Sequence, residues 1–350
     1  MTAIKTWDPS TETLVCVARW NETVDTVTFR FEVNVAKKST RKFEFKPGQF
    51  LTIGVEIEGK LEYRAYSLSS IPNTHYAELT IKRVDGGKVS NYLIDQLTVG
   101  DAVTSLGPEG SFNSTDCQYR DKVTLISAGC GITPVMSMAK QWLENKADVD
   151  INFVHIARNK TSIIFAEQLK SFSKDNRNFQ ASLLLKNAEG TEYREGKINK
   201  ETLQELCPDL QQSTVFLCGP VQFMKDVKGY IQSSDFDMNH FFEESFSPAE
   251  PVNDVKGKEH TDESVNISVP DFGFEMKAGK GTLLIDALEK GGIPVIAACR
   301  SGVCGSCKCK VAVGTVQSSS QETLTADEIE QGFVLACSST VTASVEVSLS

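Results

Sequence analysis

No run of apolar residues in this chain approaches the length of a membrane span; the stretch from Ile293 to Cys299 is typical of what is there. The amino-terminal Met-Thr-Ala-Ile-Lys-Thr-Trp-Asp has no apolar segment of the kind that directs secretion. Concentrated positive charge is missing too. Lys and Arg number 36 against 46 Asp and Glu, for a net charge of −10, which argues against nucleic acid as a partner. No acid–base pair and no metal site of hydrolase type stands out. A full GxGxxG dinucleotide fingerprint is absent as well. Together these gaps lead to the expectation of a cytoplasmic protein that engages neither membrane nor nucleic acid.

At 350 residues the chain exceeds what one hydrophobic core organises, so two or three domains are expected. Ten cysteines would suit disulfides in a small secreted chain but not in one of this size. Six of them (Cys16, Cys117, Cys130, Cys207, Cys218 and Cys309) are scattered. Reduced thiols in a reducing compartment are the simplest account.

The first 112 residues carry β-rich runs at Thr13–Ala18, Val27–Val33 and Gln49–Glu56. Turns at Pro47-Gly48 and Asp85-Gly86-Gly87 punctuate them. This texture predicts a small antiparallel barrel, with one short helix over Asn91–Leu97. From Lys122 strands and helices alternate. Strands are expected at Lys122–Ser127, Ile151–Ala157, Phe179–Leu185 and Thr214–Cys218. Helices are expected at Pro134–Asn145, Ser162–Phe172, Lys200–Leu206 and Gln222–Ile231. Such alternation implies a parallel sheet covered on both faces. Residues 247–262, with two prolines and mixed charge, read as a linker. Beyond it, Val265, Ile267 and Val269 alternate with polar residues, as do Ala343, Val345, Val347 and Leu349, around a short helix at Thr282–Lys290. The expected division is 1–112, 113–246, 247–262 and 263–350. Net charges over these segments are −1, −3, −2 and −4. Of the three domain-sized segments the last is the most acidic for its size, which permits steering toward a basic protein face but also serves solubility.

Four cysteines stand out by spacing. Cys299, Cys304 and Cys307 form C-x4-C-x2-C, and Cys337 follows in Leu-Ala-Cys. This is the ligand spacing of a plant-type 2Fe–2S cluster. Gly302 and Gly305 between the ligands let the backbone fold tightly round a cluster. A structural zinc site competes with this reading, although zinc favours paired CxxC knuckles and only one pair has that spacing. Cys309 is expected to point away along the next strand and not to be a ligand.

Arg64-Ala65-Tyr66-Ser67 joins a cation for phosphate, a ring that can stack and a hydroxyl on one strand. Gly87-Lys88-Val89-Ser90 precedes the short helix and offers N–H groups to an anion; an ordinary turn with an N-cap serine is the plain alternative. Lys82, at the end of the run before that turn, joins the same cofactor-binding set. Gly129-Cys130-Gly131-Ile132-Thr133-Pro134 follows an apolar strand and opens a helix, as a nucleotide-phosphate turn does. Cys218-Gly219-Pro220 ends another strand at the same sheet edge, where Cys218 also reads as an inert core residue.

In this order the motifs resemble the ferredoxin–NADP reductase superfamily, and within it the single-chain NADH oxidoreductases with a carboxy-terminal ferredoxin domain. The hybrid-cluster-protein reductase type is the nearest likeness in the Arg-Ala-Tyr-Ser, Gly-Gly-Lys-Val-Ser and Ala-Gly-Cys-Gly-Ile-Thr-Pro stretches. The resemblance implies a β-barrel flavin domain, an α/β nucleotide domain and a β-grasp (α+β) 2Fe–2S domain. It implies that Arg64 meets the flavin phosphates, Tyr66 packs on the ring and Ser67 approaches N5. Gly87 to Ser90 would hold the pyrophosphate, Gly129 to Pro134 the nicotinamide nucleotide, and Cys218, Gly219 and Pro220 the nicotinamide pocket. Ser67 and Cys218 would be the residues at the reacting atoms. Phe246, in Glu244-Ser245-Phe246, would cover the flavin. FAD is favoured over FMN. NADH is favoured over NADPH, with Arg158 the one candidate for a 2′-phosphate.

The reading is an NADH-dependent electron-transfer reductase, acting as a monomer. It passes electrons from NADH to FAD, then to the 2Fe–2S cluster, then to a separate acceptor protein. Hybrid-cluster protein is the expected acceptor, with an oxygenase or desaturase component as the alternative. A redox sensor is the alternative of another class, although no residues remain for an output domain. The purified protein is expected to show both flavin bands and cluster absorbance in its visible spectrum; a spectrum lacking either breaks this electron path.

Overall fold

The structure is a computed structural model describing residues 11–33, 42–246, 264–300, 302 and 304–349. The linker expected over 247–262 lies outside the described residues. The chain divides into two compact units, one of residues 12–62 and 66–246 and the other of the described residues after 263 with Thr11 and Tyr63–Ala65; the strands through these last residues are described with the first.

The first unit begins with β1 (Thr11–Thr23), β2 (Thr26–Val33), β3 (Phe50–Ile57), β4 (Lys60–Ser67), β5 (Ala77–Lys82), α1 (Lys88–Gln96) and β6 (Ala102–Glu109). The strands lie in the order β4-β3-β6-β1-β2-β5. An antiparallel bridge between Leu68, just past β4, and Leu79 of β5 closes the ring. Val27, Phe29 and Phe31 alternate along β2 and fill the barrel with Leu14, Ile53 and Leu79, as a period of two requires. Val89 and Leu93, one helical turn apart, seat α1 on the same core. That helix starts three residues earlier than its sequence pattern suggests. Gly87, in extended conformation, is its N-cap, so Lys88, Val89 and Ser90 form the first turn.

Then follow β7 (Lys122–Ala128), α2 (Ile132–Glu144), β8 (Asp150–Ala157), α3 (Ala166–Asp175), β9 (Phe179–Leu185), β10 (Arg194–Glu195), α4 (Lys200–Leu206), β11 (Thr214–Gly219), α5 (Val221–Gln232) and β12 (Phe241–Ser245). Their sheet runs β10-β9-β8-β7-β11-β12 and every pair in it is parallel. Strand β7 is buried on both faces beyond Lys122, because helices cover both sides. The chain leaves β7 toward β8 and β9 on one side and returns to β11 and β12 on the other. The ends of β7 and β11 therefore flank the topological switch, where parallel sheets bind ligands.

Two details depart from expectation. The helix expected at Ser162 begins at Ala166, because Ser162 and Asn159 cap each other in a short 3-10 turn and Phe165 adopts a left-handed conformation. Strand β12 had no sequence signal of its own; it forms because Phe241 to Ser245 pair along β11.

The second unit holds β13 (Ser264–Val269), β14 (Phe274–Gly279), α6 (Leu284–Lys290), β15 (Lys308–Val313), β16 (Val316–Ser318), α7 (Ala326–Glu330), β17 (Phe333–Leu335), β18 (Ser339–Val341) and β19 (Val345–Ser348). Its main sheet is β14-β13-β19-β15-β17. Val265, Ile267 and Val269 point inward with Val345 and Val347 and meet Leu284, Ile285 and Leu288 of α6. This is a mixed sheet with a helix laid across one face, the β-grasp arrangement. Among the described residues no helix is long and apolar enough to cross a membrane.

Gly48 has φ +107, and a Cβ there would overlap the carbonyl oxygen of Phe112 and crowd Met138 of α2. Gly48→Ala is expected to destabilise the protein by about 2 kcal/mol or more, read as a lower urea midpoint at unchanged slope.

Candidate functional site

Arg64, Ala65, Tyr66 and Ser67 occupy the second half of β4. The Arg64 guanidinium donates to the Tyr63 carbonyl at 2.6 Å. Tyr66 packs against the barrel core, and Ser67 is buried. The start of α1 lies beside this strand: Lys88 Nζ is 3.7 Å from the Glu62 carboxylate. Gly87 has no side chain to cap the first turn, and a Cβ there would lie 2.6 Å from Ser90 Oγ. The side chains of Val89 and Ser90 are buried, so what Gly87 to Ser90 offer a phosphate, besides the exposed Lys88 ammonium, is backbone N–H groups, with the helix dipole behind them. An uncapped helix start beside an arginine-bearing strand fits a flavin pyrophosphate.

Gly129, Cys130 and Gly131 form a short 3-10 turn between β7 and α2, with Gly129 at φ +54. Thr133 Oγ1 donates to the Cys130 carbonyl at 3.0 Å and locks the turn. Pro134 therefore stands inside the first turn of α2 rather than at its start. The turn lies directly on the end of β11. A Cβ on Gly131 would overlap the Cys218 carbonyl and come within 2.7 Å of the Gly219 nitrogen. Cys130 Sγ reaches across to the Thr80 carbonyl of β5 at 3.6 Å. The two glycine motifs thus meet at the strand switch, against the barrel wall.

Cys218 is fully buried, and burial, with Glu244 beside it, pushes its thiol well up from the usual range. Burial likewise pushes the Cys130 thiol up to about 11. Both are neutral thiols near pH 7, suited to packing or hydrogen bonding and not to thiolate attack. Pro220 is the N-cap of α5. Cys218 pairs in register with Glu244 of β12, so the Glu244-Ser245-Phe246 stretch ends beside Cys218-Gly219. Phe246 is exposed.

Lys82 and Arg158 come together on a carboxylate that sequence reasoning missed. Asp25, in the β1–β2 turn, is 2.9 Å from Arg158 Nη2 and 3.4 Å from Lys82 Nζ. Hydrogen bonds from Thr23 and Thr26 hold it in place; with Lys82 they keep its carboxyl below the usual range. Arg158, the candidate for a 2′-phosphate had the coenzyme been NADPH, directs its guanidinium to Asp25. The partners lie 57 and 133 positions away along the chain, so no local pattern signals the cluster. His155 is buried nearby, with Nδ1 2.9 Å from Ser127 Oγ. Burial, then the charge of Lys82, pushes its imidazole down to about 3 and keeps it neutral.

In the second unit Cys304, Cys307 and Cys337 are buried and Cys299 half-buried. Their thiols hydrogen-bond one another, Cys299 with Cys304 and Cys337 with both Cys299 and Cys307. These bonds hold the Cys304 and Cys337 protons on and ease that of Cys307. Ser306 Oγ donates to Cys304 Sγ at 3.1 Å, and the Cys337 backbone N–H to Cys307 Sγ at 3.4 Å. Gly302 and Gly305 both have positive φ, and a Cβ on Gly302 would press to 2.7 Å from Ser320 Cβ. Arg300 ties the loop to Asp286 and Glu289 of α6. Among the described residues no three His, Cys, Asp or Glu side chains surround one ion-sized point. A two-iron cluster does not need that, since its four thiolates divide between the irons. Four convergent thiols with donors aimed at their sulfurs fit the cluster. Cys309 is buried in the apolar core, with its thiol pushed up to about 12. Among the described residues no disulfide joins any of the ten cysteines.

Barrel, glycine turn at the strand switch and four-thiol loop define a class: flavin- and nicotinamide-dependent electron-transfer proteins with a plant-type ferredoxin module. Comparison with known proteins agrees. The oxidoreductase FAD-binding domain family matches residues 15–114, the oxidoreductase NAD-binding domain family 125–229, and the 2Fe-2S iron-sulfur cluster binding domain family 269–342. The glycine betaine monooxygenase reductase subunit of Pseudomonas aeruginosa is 34% identical, over 96% of this chain and 94% of its own. NADH oxidoreductase HCR of Escherichia coli is also 34% identical, over 85% of this chain and 86% of its own. The structure of phthalate dioxygenase reductase covers 97% of this chain and 98% of its own with a TM-score of 0.66 at 22% identity, a likeness of fold. The chain belongs to the single-chain NADH oxidoreductases of the ferredoxin–NADP reductase superfamily, which carry FAD, NAD-binding and 2Fe–2S domains. It is an NADH oxidoreductase that uses FAD and a 2Fe–2S cluster.

Cys304→Ala is expected to remove the cluster absorbance and the bound iron while the flavin bands persist. Cys309→Ala should keep all three, as read by visible spectroscopy and iron analysis.

Proposed function

We propose that the protein carries electrons from NADH through FAD and the 2Fe–2S cluster to a separate acceptor protein, the oxygenase component of a multicomponent monooxygenase. The observation that carries the path is the meeting of Gly131 with Cys218 and Gly219 at the strand switch, with Cys130 touching the barrel strand β5. A nicotinamide entering that crevice is delivered to the barrel side, where β4 bears Arg64 to Ser67. When bound, FAD would supply the conversion between a two-electron hydride donor and a one-electron carrier, with a solvent proton completing the balance.

The chain's own residues bind and orient. Arg64 and the N–H groups of Gly87 to Ser90 hold the flavin phosphates, Tyr66 packs on the ring, and Ser67 stands near its reacting edge. Gly129 to Pro134, with Lys82 and Arg158, hold the coenzyme. Neutral Cys218 with Gly219 and Pro220 lines the nicotinamide pocket, and Phe246 covers the flavin. Cys299, Cys304, Cys307 and Cys337 hold the cluster. Functional boundaries at 1–112, 113–246, 247–262 and 263–350 suit this division of work.

The oxygenase reading is supported by the monooxygenase reductase relative, whose similarity runs over almost the whole of both chains. A hybrid-cluster protein acceptor, favoured by motif resemblance, is the second reading and is supported by the HCR relative.

In holoenzyme mixed anaerobically with NADH, flavin bleaching is expected to precede cluster reduction. In Cys304→Ala, ferricyanide reduction should stay within about twofold of wild type while reduction of the protein acceptor falls about a hundredfold, because the single-electron carrier is gone. Acceptor reduction that survives loss of the cluster defeats the proposed path. Side-by-side rates with an oxygenase component and a hybrid-cluster protein decide between the two acceptors.

A further inference from the structure

Helix α2 touches the barrel at two points that the electron path above does not use. Ser137 Oγ donates to the Ser70 carbonyl at 2.6 Å. Lys140 Nζ donates to the neighbouring Ser69 carbonyl at 2.8 Å. Ser137 is fully buried, and the Lys140 side chain is 16% exposed. A buried ammonium is costly without partners. Lys140 has the Glu78 carboxylate at 3.9 Å, itself paired with Arg30 at 2.7 Å, and the face of Phe165 at 5.1 Å.

The positions matter more than the bonds. Ser69 and Ser70 follow, after Leu68, the strand bearing Tyr66 and Ser67. The same helix begins at Ile132, immediately after the Gly129–Gly131 turn. One rigid element of 13 residues therefore carries the nicotinamide turn at one end and grips the flavin strand's extension one to two turns on. A surface ion pair such as Arg158–Asp25, with Arg158 66% exposed, is too well solvated to set a spacing. One buried hydrogen bond and one largely buried one, to successive carbonyls, can do so.

We propose that Lys140 and Ser137 are positioning residues: by anchoring α2 on the Ser69 and Ser70 carbonyls they set the separation between the nicotinamide turn and the flavin strand. This rests on the proposed transfer from NADH to FAD. Small displacements of reacting partners cost rate far more than they cost binding. Loss of the anchors should therefore slow transfer and leave coenzyme affinity alone.

The test is stopped-flow reduction of the flavin in the holoenzyme by NADH, comparing Lys140→Met, Lys140→Arg and Ser137→Ala. In Lys140→Met the limiting rate should fall about tenfold or more, with the NADH dissociation constant within about twofold and flavin content unchanged. The nicotinamide–flavin charge-transfer absorbance should weaken in parallel. Lys140→Arg, which keeps a charged donor, should restore most of the rate. Ser137→Ala removes one bond from the same grip and should show the same split in smaller measure; it decides the matter if Lys140→Met does not fold. A limiting rate unchanged in both variants, or an affinity that falls as much as the rate, overturns the proposal. Failure of the wild-type flavin to be reduced by NADH would instead overturn the electron path on which it rests.

Discussion

The contact between Gly131 and the end of β11 is the constraint on which the first unit depends. With no Cβ at residue 131, the turn after β7 can rest on the Cys218 and Gly219 backbone. Any side chain would wedge the two strand ends apart at the point where the sheet changes direction. The turn's placement fixes where α2 starts and which way it runs. From there follow the buried contacts of Ser137, Met138 and Lys140 with the barrel. Gly48 answers on the barrel side, where a Cβ would collide with Phe112 and Met138. Gly131 thus lets the turn settle inside the α/β part, and Gly48 lets the barrel loop lie close against it.

Electrostatics around the crevice follow from burial. Cys218, Cys130 and His155 are all held in neutral form, because desolvation there outweighs the hydrogen bonds available to the charged forms. Charge is met nearer the surface instead, where Lys82 and Arg158 surround the Asp25 carboxylate. The second unit uses the opposite device. Its four thiols gather so closely that hydrogen bonds among them hold the Cys304 and Cys337 protons on and ease that of Cys307. Backbone and serine donors already point at the sulfurs, an arrangement suited to holding negative charge spread over a cluster.

Much of this was legible in the chain because it is written locally. C-x4-C-x2-C is a spacing within one loop, and Gly302 and Gly305 fall where the backbone must turn left-handed. Alternating Val265, Ile267 and Val269 announce one face of a strand, and the unbroken apolar run of β7 a strand buried on both faces. Helix starts were less legible. Asn91 resembles a first turn as well as Lys88 does; what decides is that Val89 and Leu93 both find the barrel core. Ser162 is a sound helix opener by composition but is committed to a capping box with Asn159. Strand β12 is too short and too mixed to signal itself, and exists because β11 offers it a ladder.

By itself, then, the sequence determined the cofactor-bearing segments and their order along the chain. Each depends on residue types within a few positions, and short-range geometry permits few alternatives. The tertiary structure alone decided which motifs meet. Gly131 lies on Cys218, Asp25 stands between Lys82 and Arg158, and Lys140 grips Ser69. These pairings join residues from 57 to 133 positions apart along the chain. Such contacts are set by strand order and by the room that missing side chains leave, and neither quantity is encoded in any local stretch.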